Sequence, residues 1–254
     1  MFERFFQNSG SGDGDPIQRR GLARGLEIIL DNLTRLLVSS LLCLVCLIPW
    51  AAAVLWAVSR GGALELVGAG FAGGLLFGPA YGAMIDGMLY AVRDVPGDWW
   101  RTYCRAWKRD WKGNLIPGGI TGVLAALAAY EGIMLGAQPD FLPMSVYVCT
   151  GLALAVALTV FTYFWPQRAF TDLNNRQIFK NSRLMIMMHP VTALKALLVE
   201  LLYWAALIVA FPYSAIALPL LGLWFPALMA LLIIYPQLNK DLKMEERLEE
   251  EGMV

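Results

Sequence analysis

The sequence predicts an all-α transmembrane fold, a six-helix bundle with amphipathic interfacial helices along its cytoplasmic side. Three observations predict it. Apolar stretches run over 36–58, 66–92, 115–136, 142–165, 191–211 and 216–235. At about 1.5 Å per residue, each can cross the roughly 30 Å of hydrocarbon in a bilayer. The chain is 58% hydrophobic and only 16% charged, with mean hydropathy +0.56, whereas soluble domains carry about a quarter charged residues. The twenty Lys and Arg residues are also unevenly placed, with Arg60 alone in a connector that reads as external. Loops retained in the cytoplasm are enriched in these residues. That asymmetry predicts a multi-pass protein of the cytoplasmic (inner) membrane with both ends inside.

The elements follow in order. Residues 1–16 read as a flexible segment, with a Gly/Ser/Asp run from Gly10 to Asp15 and no charged-then-apolar signal pattern. Phe2, Phe5 and Phe6 are either surface-touching or an unstructured start. Residues 17–238 form a single six-span domain, and 239–254 a charged cytoplasmic tail. Before the first span, Leu22, Leu26, Ile29 and Leu33 make an apolar face, and Arg20, Arg24, Asp31 and Arg35 a polar one. Cys43 and Cys46 lie within apolar helix, where a reactive thiolate has no support, so they read as packing residues.

In the second span Gly70, Gly74, Gly78 and Gly82 recur every four residues, and Asp86 continues the row. Such a ladder lets a neighbouring backbone approach closely. Gly68, Gly70 and Gly73 match a dinucleotide fingerprint, but that motif needs a soluble strand–turn–helix unit. Pro49, Pro79 and Pro226 are expected to break or kink their spans.

The next connector places Trp100, Cys104, Trp107 and Trp111 on one helical face and Arg101, Arg105, Lys108 and Lys112 on the adjacent stripe. That division suits a helix lying among anionic lipid headgroups, and its tethering between spans argues against nucleic acid. Arg176, Lys180 and Arg183 repeat the spacing of Arg101, Arg105 and Lys108. Together with the segment opening at Arg20, they suggest three repeated units of amphipathic helix plus transmembrane hairpin. The alternative is that basic amphipathic residues simply precede spans in any inner-membrane protein.

Intramembrane acids are the functional candidates. Asp86 lies near an inner span end, within reach of Arg93 or the basic connector, and Glu131 lies near an outer end. Glu200 is deepest, about 14 Å into its span by helical rise. It reads either as an ion or proton carrier, or as a protonated carboxyl bonded to a hydroxyl such as Thr159 or Tyr163. Lys195, one turn shallower, can reach the interface. His189, the only histidine, borders the fifth span and has no partners for a metal site. No nucleophile–base set, phosphate loop or paired catalytic carboxylates can be assembled, so neither an enzyme nor a cofactor is expected.

Several segments resemble the YesL-like family of bacterial membrane proteins of unknown function: GLARGLEIILDNLTRLL, GPAYGAM, WRTYCRAWKRDWKGNL, FKNSRLMIMMHPVTALKALL and IIYPQLNKDL. The resemblance implies a polytopic protein often encoded beside carbohydrate ABC-uptake components. It supplies no site residues. A departure from it is the long glycine-rich second span, with an external segment around Arg60 to Leu66. The expected role is a non-enzymatic accessory or regulatory partner of a transporter, or a homo-oligomer. The alternative is a small transporter or channel using Glu200 and Asp86.

Overall fold

The computed structural model describes residues 22–93, 95, 98–137, 143–171, 173–210 and 213–242. The N-terminal segment with its phenylalanines, Arg20, the turn at 138–141, Phe211, Pro212 and the tail from 243 onward lie outside the described residues. The architecture is all-helical: α1 (Leu22–Arg60), α2 (Ala63–Val92), α3 (Trp99–Ala137), α4 (Met144–Phe170), α5 (Asn175–Met188), α6 (Pro190–Val209), α7 (Ser214–Leu221) and α8 (Trp224–Leu242). Among the described residues α1, α2, α3, α4 and α6 are long and apolar enough to cross a membrane.

Two of the amphipathic segments are not separate interfacial helices. The first is continuous with its span in the 39-residue α1, and the second with its span in the 39-residue α3. No breaker separates the basic residues of α3 from its apolar run, so the backbone ladder continues. Only α5 stands apart, because Pro190 opens a new helix and His189 between them takes a non-helical backbone (φ −129°, ψ 56°). The connector from α1 to α2 is the Gly61–Gly62 turn, with Gly61 at φ 72°. It is therefore much shorter than the external segment expected from Arg60 to Leu66.

The glycine ladder of α2 faces α3. A Cβ on Gly74 would strike the Gly118 carbonyl, and one on Gly78 the Asn114 carbonyl. The exclusion is reciprocal: a Cβ on Gly118 would strike the Gly74 carbonyl, and one on Gly122 the Gly70 carbonyl. The two backbones therefore run in contact over about three turns, as small residues permit. Trp50 of α1 lies against Gly73 and donates its indole N–H to the Gly122 carbonyl at 3.2 Å, so α1 joins the same seam.

Pro49 and Pro79 do not end their helices. Helices α1 and α2 run through Pro49 and Pro79, and α3 runs through Pro117. A helical proline frees the carbonyl four residues earlier. For Pro117 that carbonyl is Gly113, and it accepts from the Asn175 side-chain amide at 2.7 Å. The real interruption falls in the last apolar stretch, between α7 and α8, at Gly222 (φ 41°). Pro226 sits in the first turn of α8, where a missing N–H costs nothing. Two of the groups freed by the break are satisfied from other helices. The Leu223 N–H donates to Ser40 Oγ at 3.0 Å, and the Tyr203 hydroxyl donates to the Gly222 carbonyl at 2.6 Å.

The larger part of the core lies toward the end of the helices that carries Val92, Trp99 and Phe170, the basic end, while a smaller cluster of Val54, Ala57, Leu66 and Ala126 joins α1, α2 and α3 toward the other. At the basic end Phe77, Phe161, Phe164 and Trp165 pack with Ile178, Met185, Leu228 and Ile234. Phe164 and Phe179 bring α4 and α5 together with ring centroids 4.6 Å apart. Gln167 reinforces this pair, donating to the Tyr163 carbonyl and to Ser182 Oγ, both at 3.0 Å.

Gly78→Ala is expected to destabilise the protein by about 3 kcal/mol, the upper range for overpacking, because the obstacle is backbone. Gly132→Ala, with nothing within 4 Å of its Cβ position, is expected to stay within about 0.5 kcal/mol. Thermal unfolding of the purified variants in one detergent checks both, and equal midpoints would refute the seam.

Candidate functional site

Burial of carboxylates defines the site. Asp86 and Glu200 are each only 6% exposed, and an ion in such surroundings costs several kcal/mol unless paired or neutral. The structure gives each a different solution.

Asp86 stands on α2 one turn beyond Gly82, at the end of the glycine seam. The seam determines its neighbours: Gly82 lies against Asn114, and the turn of α3 below Asn114 carries Arg109 and Asp110. Arg109 reaches Asp86 at 3.6 Å, grips Asp110 through Nε at 2.6 Å and donates to the Ala169 carbonyl at 2.9 Å. Arg168, from the last turn of α4, completes the network. It donates to Asp110 at 3.1 Å and to the Leu173 carbonyl at 3.0 Å. Gly113 is what admits Arg168, since a Cβ there would overlap the guanidinium. Asn175, at the start of α5, donates to that same glycine's carbonyl, so the network fixes where α5 begins.

The basic connector thus supplies the partner of Asp86, through Arg109. Arg93 instead stacks its guanidinium on the Phe170 ring, 4.6 Å from the centroid. Arg93 Nε and Nη2, Arg168 Nε and Asn114 Oδ1 are buried without a hydrogen-bond partner among the described residues.

Glu200 closes the buried stripe Ala193–Ala196–Glu200 of α6. The small alanines let α6 approach, and the carboxyl then enters a cavity bounded by Tyr81, Phe161, Thr162, Trp165, Ala227 and Leu231. Its partner is the Thr162 hydroxyl, 3.0 Å from Oε1 and 3.1 Å from Oε2. This replaces the expected Thr159 or Tyr163. Thr159 donates to its own helix at Ala155 O, 2.8 Å away, and the Tyr163 hydroxyl is buried without a partner among the described residues. The Thr162 hydroxyl also lies 2.9 Å from the Leu158 carbonyl. A hydroxyl has a single proton to donate, so it cannot serve both acceptors.

The other sequence candidates are dispersed. Glu131 is half-buried toward the far end of α3. Arg101, Arg105, Lys108 and Lys112 are exposed along the start of α3, as are Trp100 and Trp111, while Trp107 turns partly into the core. The buried side of that turn is formed by Tyr103 and Ala106 instead. Arg176, Lys180 and Arg183 are exposed on α5, opposite its buried Ile178, Ser182 and Met185. His189 pairs with Asp241 at 3.1 Å, joining the α5–α6 junction to the end of α8. Cys43 is fully buried, its thiol 3.9 Å from the Met84 sulfur.

Compared with known proteins, the chain matches no family model, no curated protein and no solved structure.

Arg168→Ala is expected to destabilise the protein by about 2–3 kcal/mol, because Asp110 loses a partner in a desolvated site. Arg105→Ala, on the exposed side of the same helix, is expected to change stability by about 0.5 kcal/mol or less. Unfolding midpoints measured side by side check the difference.

Proposed function

We propose that the chain is a six-crossing, cytoplasmic-membrane protein, inside at both ends, that serves as a non-enzymatic accessory or regulatory partner of a membrane transporter. In this reading α7 and α8 together make the sixth crossing, as a broken helix. The basic stripes of α3 and α5 lie at the cytoplasmic face among anionic headgroups. The division into three units of amphipathic helix plus hairpin belongs to the same reading: α1, α3 and the α5–α6 pair each begin amphipathic and then turn apolar.

One contrast carries the reading. Gly70, Gly74, Gly78 and Gly82 of α2 are filled by α3, whereas Gly68 of α2, Gly132 and Gly136 of α3 and Gly151 of α4 meet nothing within 4 Å. In lipid, small residues stabilise helix contacts because packing, not hydrophobicity, drives association. Open small-residue faces on α3 and α4 therefore suit another helix, and only 6% of the apolar window of α4 is buried. The sequence resemblance to YesL-like proteins points the same way, toward a carbohydrate ABC-type transporter as the partner.

The surplus of acceptors around Thr162 favours a second reading, a small-molecule or ion transporter. A protonated Glu200 would donate to Thr162, which would then donate to Leu158 O, satisfying both. Loss of that proton would break the chain of bonds beside a cavity, the behaviour of a carrier site. Asp86 fits this reading less well, being held by Arg109.

Purification of the full chain in mild detergent decides between them. A stoichiometric transporter partner is expected, and Glu200→Gln is expected to leave both its recovery and the protein's fold unchanged. Proton-linked flux by the isolated protein in liposomes, abolished in Glu200→Gln, would instead establish the transporter. Recovery of homo-oligomers alone would also overturn the accessory role.

A further inference from the structure

We propose that the cleft between α1, α2 and the start of α3 binds the phosphate head of an anionic membrane lipid, with Arg35 as its anchor. The proposal does not depend on whether the chain serves a transporter.

Chain position gives the first argument. Arg35 is the last charged residue of α1 before an uncharged run that extends to Arg60. A cation there stands where headgroups begin. The cleft also collects the matching boundaries of the two neighbouring helices. Tyr90 comes from the last turn of α2 and Trp99 from the first turn of α3. Tyr and Trp concentrate at the level where hydrocarbon gives way to headgroups. The ends of three separate segments therefore mark one depth, and the cleft lies at that depth.

The walls suit an amphiphile. Arg35, Asn32 and Thr102 line one part, and Leu36, Met84 and Met88 line another. Leu36, Met84 and Met88 are buried, so the apolar part belongs to the packed core. On the hydrocarbon side of Arg35, α1 exposes Leu41, Val45 and Ile48, an apolar surface that acyl chains can cover. Free phosphate has no use for such a surface, whereas a lipid uses both parts.

Arg35 is also held in place. The Asn32 amide donates to the Ile28 carbonyl at 3.2 Å, which orients its oxygen to accept from Arg35 Nη1, again at 3.2 Å. One edge of the guanidinium is engaged, and it has five N–H donors in all. The remaining edge can meet phosphate oxygens in the forked geometry that makes such pairs strong. Tyr90, Trp99 and Thr102 add side chains that carry neutral donors. Basic pockets between membrane helices bind anionic headgroups in this manner.

Native mass spectrometry of the full-length, delipidated protein tests the site, using phosphatidylglycerol, phosphatidylcholine and inorganic phosphate as probes. One tightly retained phosphatidylglycerol is expected, with phosphatidylcholine retained far less. Arg35→Glu is expected to weaken that binding by about tenfold or more, in line with the loss of charge-assisted hydrogen bonds. Arg101→Glu, whose side chain is 83% exposed and pairs with Asp98 outside the cleft, is expected to leave it unchanged. Should Arg35→Glu fail to fold, Thr102→Val serves in its place, with a smaller loss expected. Equal loss in Arg35→Glu and Arg101→Glu would overturn the site in favour of diffuse surface attraction. Displacement of the lipid by millimolar inorganic phosphate would overturn the lipid as occupant and leave a simple anion site. Equal retention of the two lipids would overturn the role of charge.

Discussion

The contact between the backbones of α2 and α3 is the constraint on which the rest of the structure depends. Glycine at 70, 74 and 78 on one helix and at 118 and 122 on the other brings backbone against backbone along the seam. Where hydrophobicity cannot hold helices together, this close fit supplies dispersion contacts along several turns. It also fixes register. A helix docked through reciprocal glycines cannot slide by one residue without driving a Cβ or larger group into a carbonyl. Everything at the basic end inherits that register: Asn114 beneath Gly82, Arg109 beside Asp86, and Gly113 where Arg168 must pass.

From this register follows the way the molecule manages its buried polar groups. Pro117 would leave the Gly113 carbonyl unsatisfied, and Asn175 fills the gap while starting α5. The break at Gly222 frees an N–H and a carbonyl, which Ser40 and Tyr203 take up. Asp86 and Asp110 share Arg109, and Asp110 takes Arg168 as well. In each case the polar group that a helix interruption or a buried charge leaves behind becomes the link to another element. Backbone needs that lipid cannot meet are thereby converted into tertiary contacts. Glu200 differs, since its neighbour Thr162 has a competing acceptor in Leu158.

Much of this was legible in the sequence, and what was not has physical reasons. The spacing of Gly70 to Gly82 announced a packing face, and the depth of Glu200 marked it for burial. The other half of the seam, Gly118 and Gly122, was equally visible but was overshadowed by the basic residues preceding it. Asp110 falls opposite the exposed stripe of Arg101, Arg105 and Lys108, and that offset is the signal of its inward role, whereas Arg109, one turn past Arg105 and itself partly exposed, carried none. Arg168 and Thr162 carried no such signal, because which residue meets a buried acid depends on the rotation of a neighbouring helix. Periodicity within one helix does not specify that rotation. The break expected at Pro226 falls instead at Gly222, a glycine between two prolines, because the positive φ there turns the chain out of the helix while Pro226 fits the first turn of the next.

The two ends of the molecule differ in kind, and that difference bears on what the chain can do. At the basic end, ion pairs, aromatic contacts and side-chain hydrogen bonds tie α2, α3, α4 and α5 into one unit. At the far end α4 and α6 expose Val146, Val148, Leu152, Ile208 and Val209, and the glycines there have no neighbours. A closed end is costly to rearrange, since moving one element breaks several buried bonds at once. An open end in a bilayer resists new contacts only weakly, because lipid is exchanged for protein at small cost. Binding at the far end therefore need not disturb the basic end.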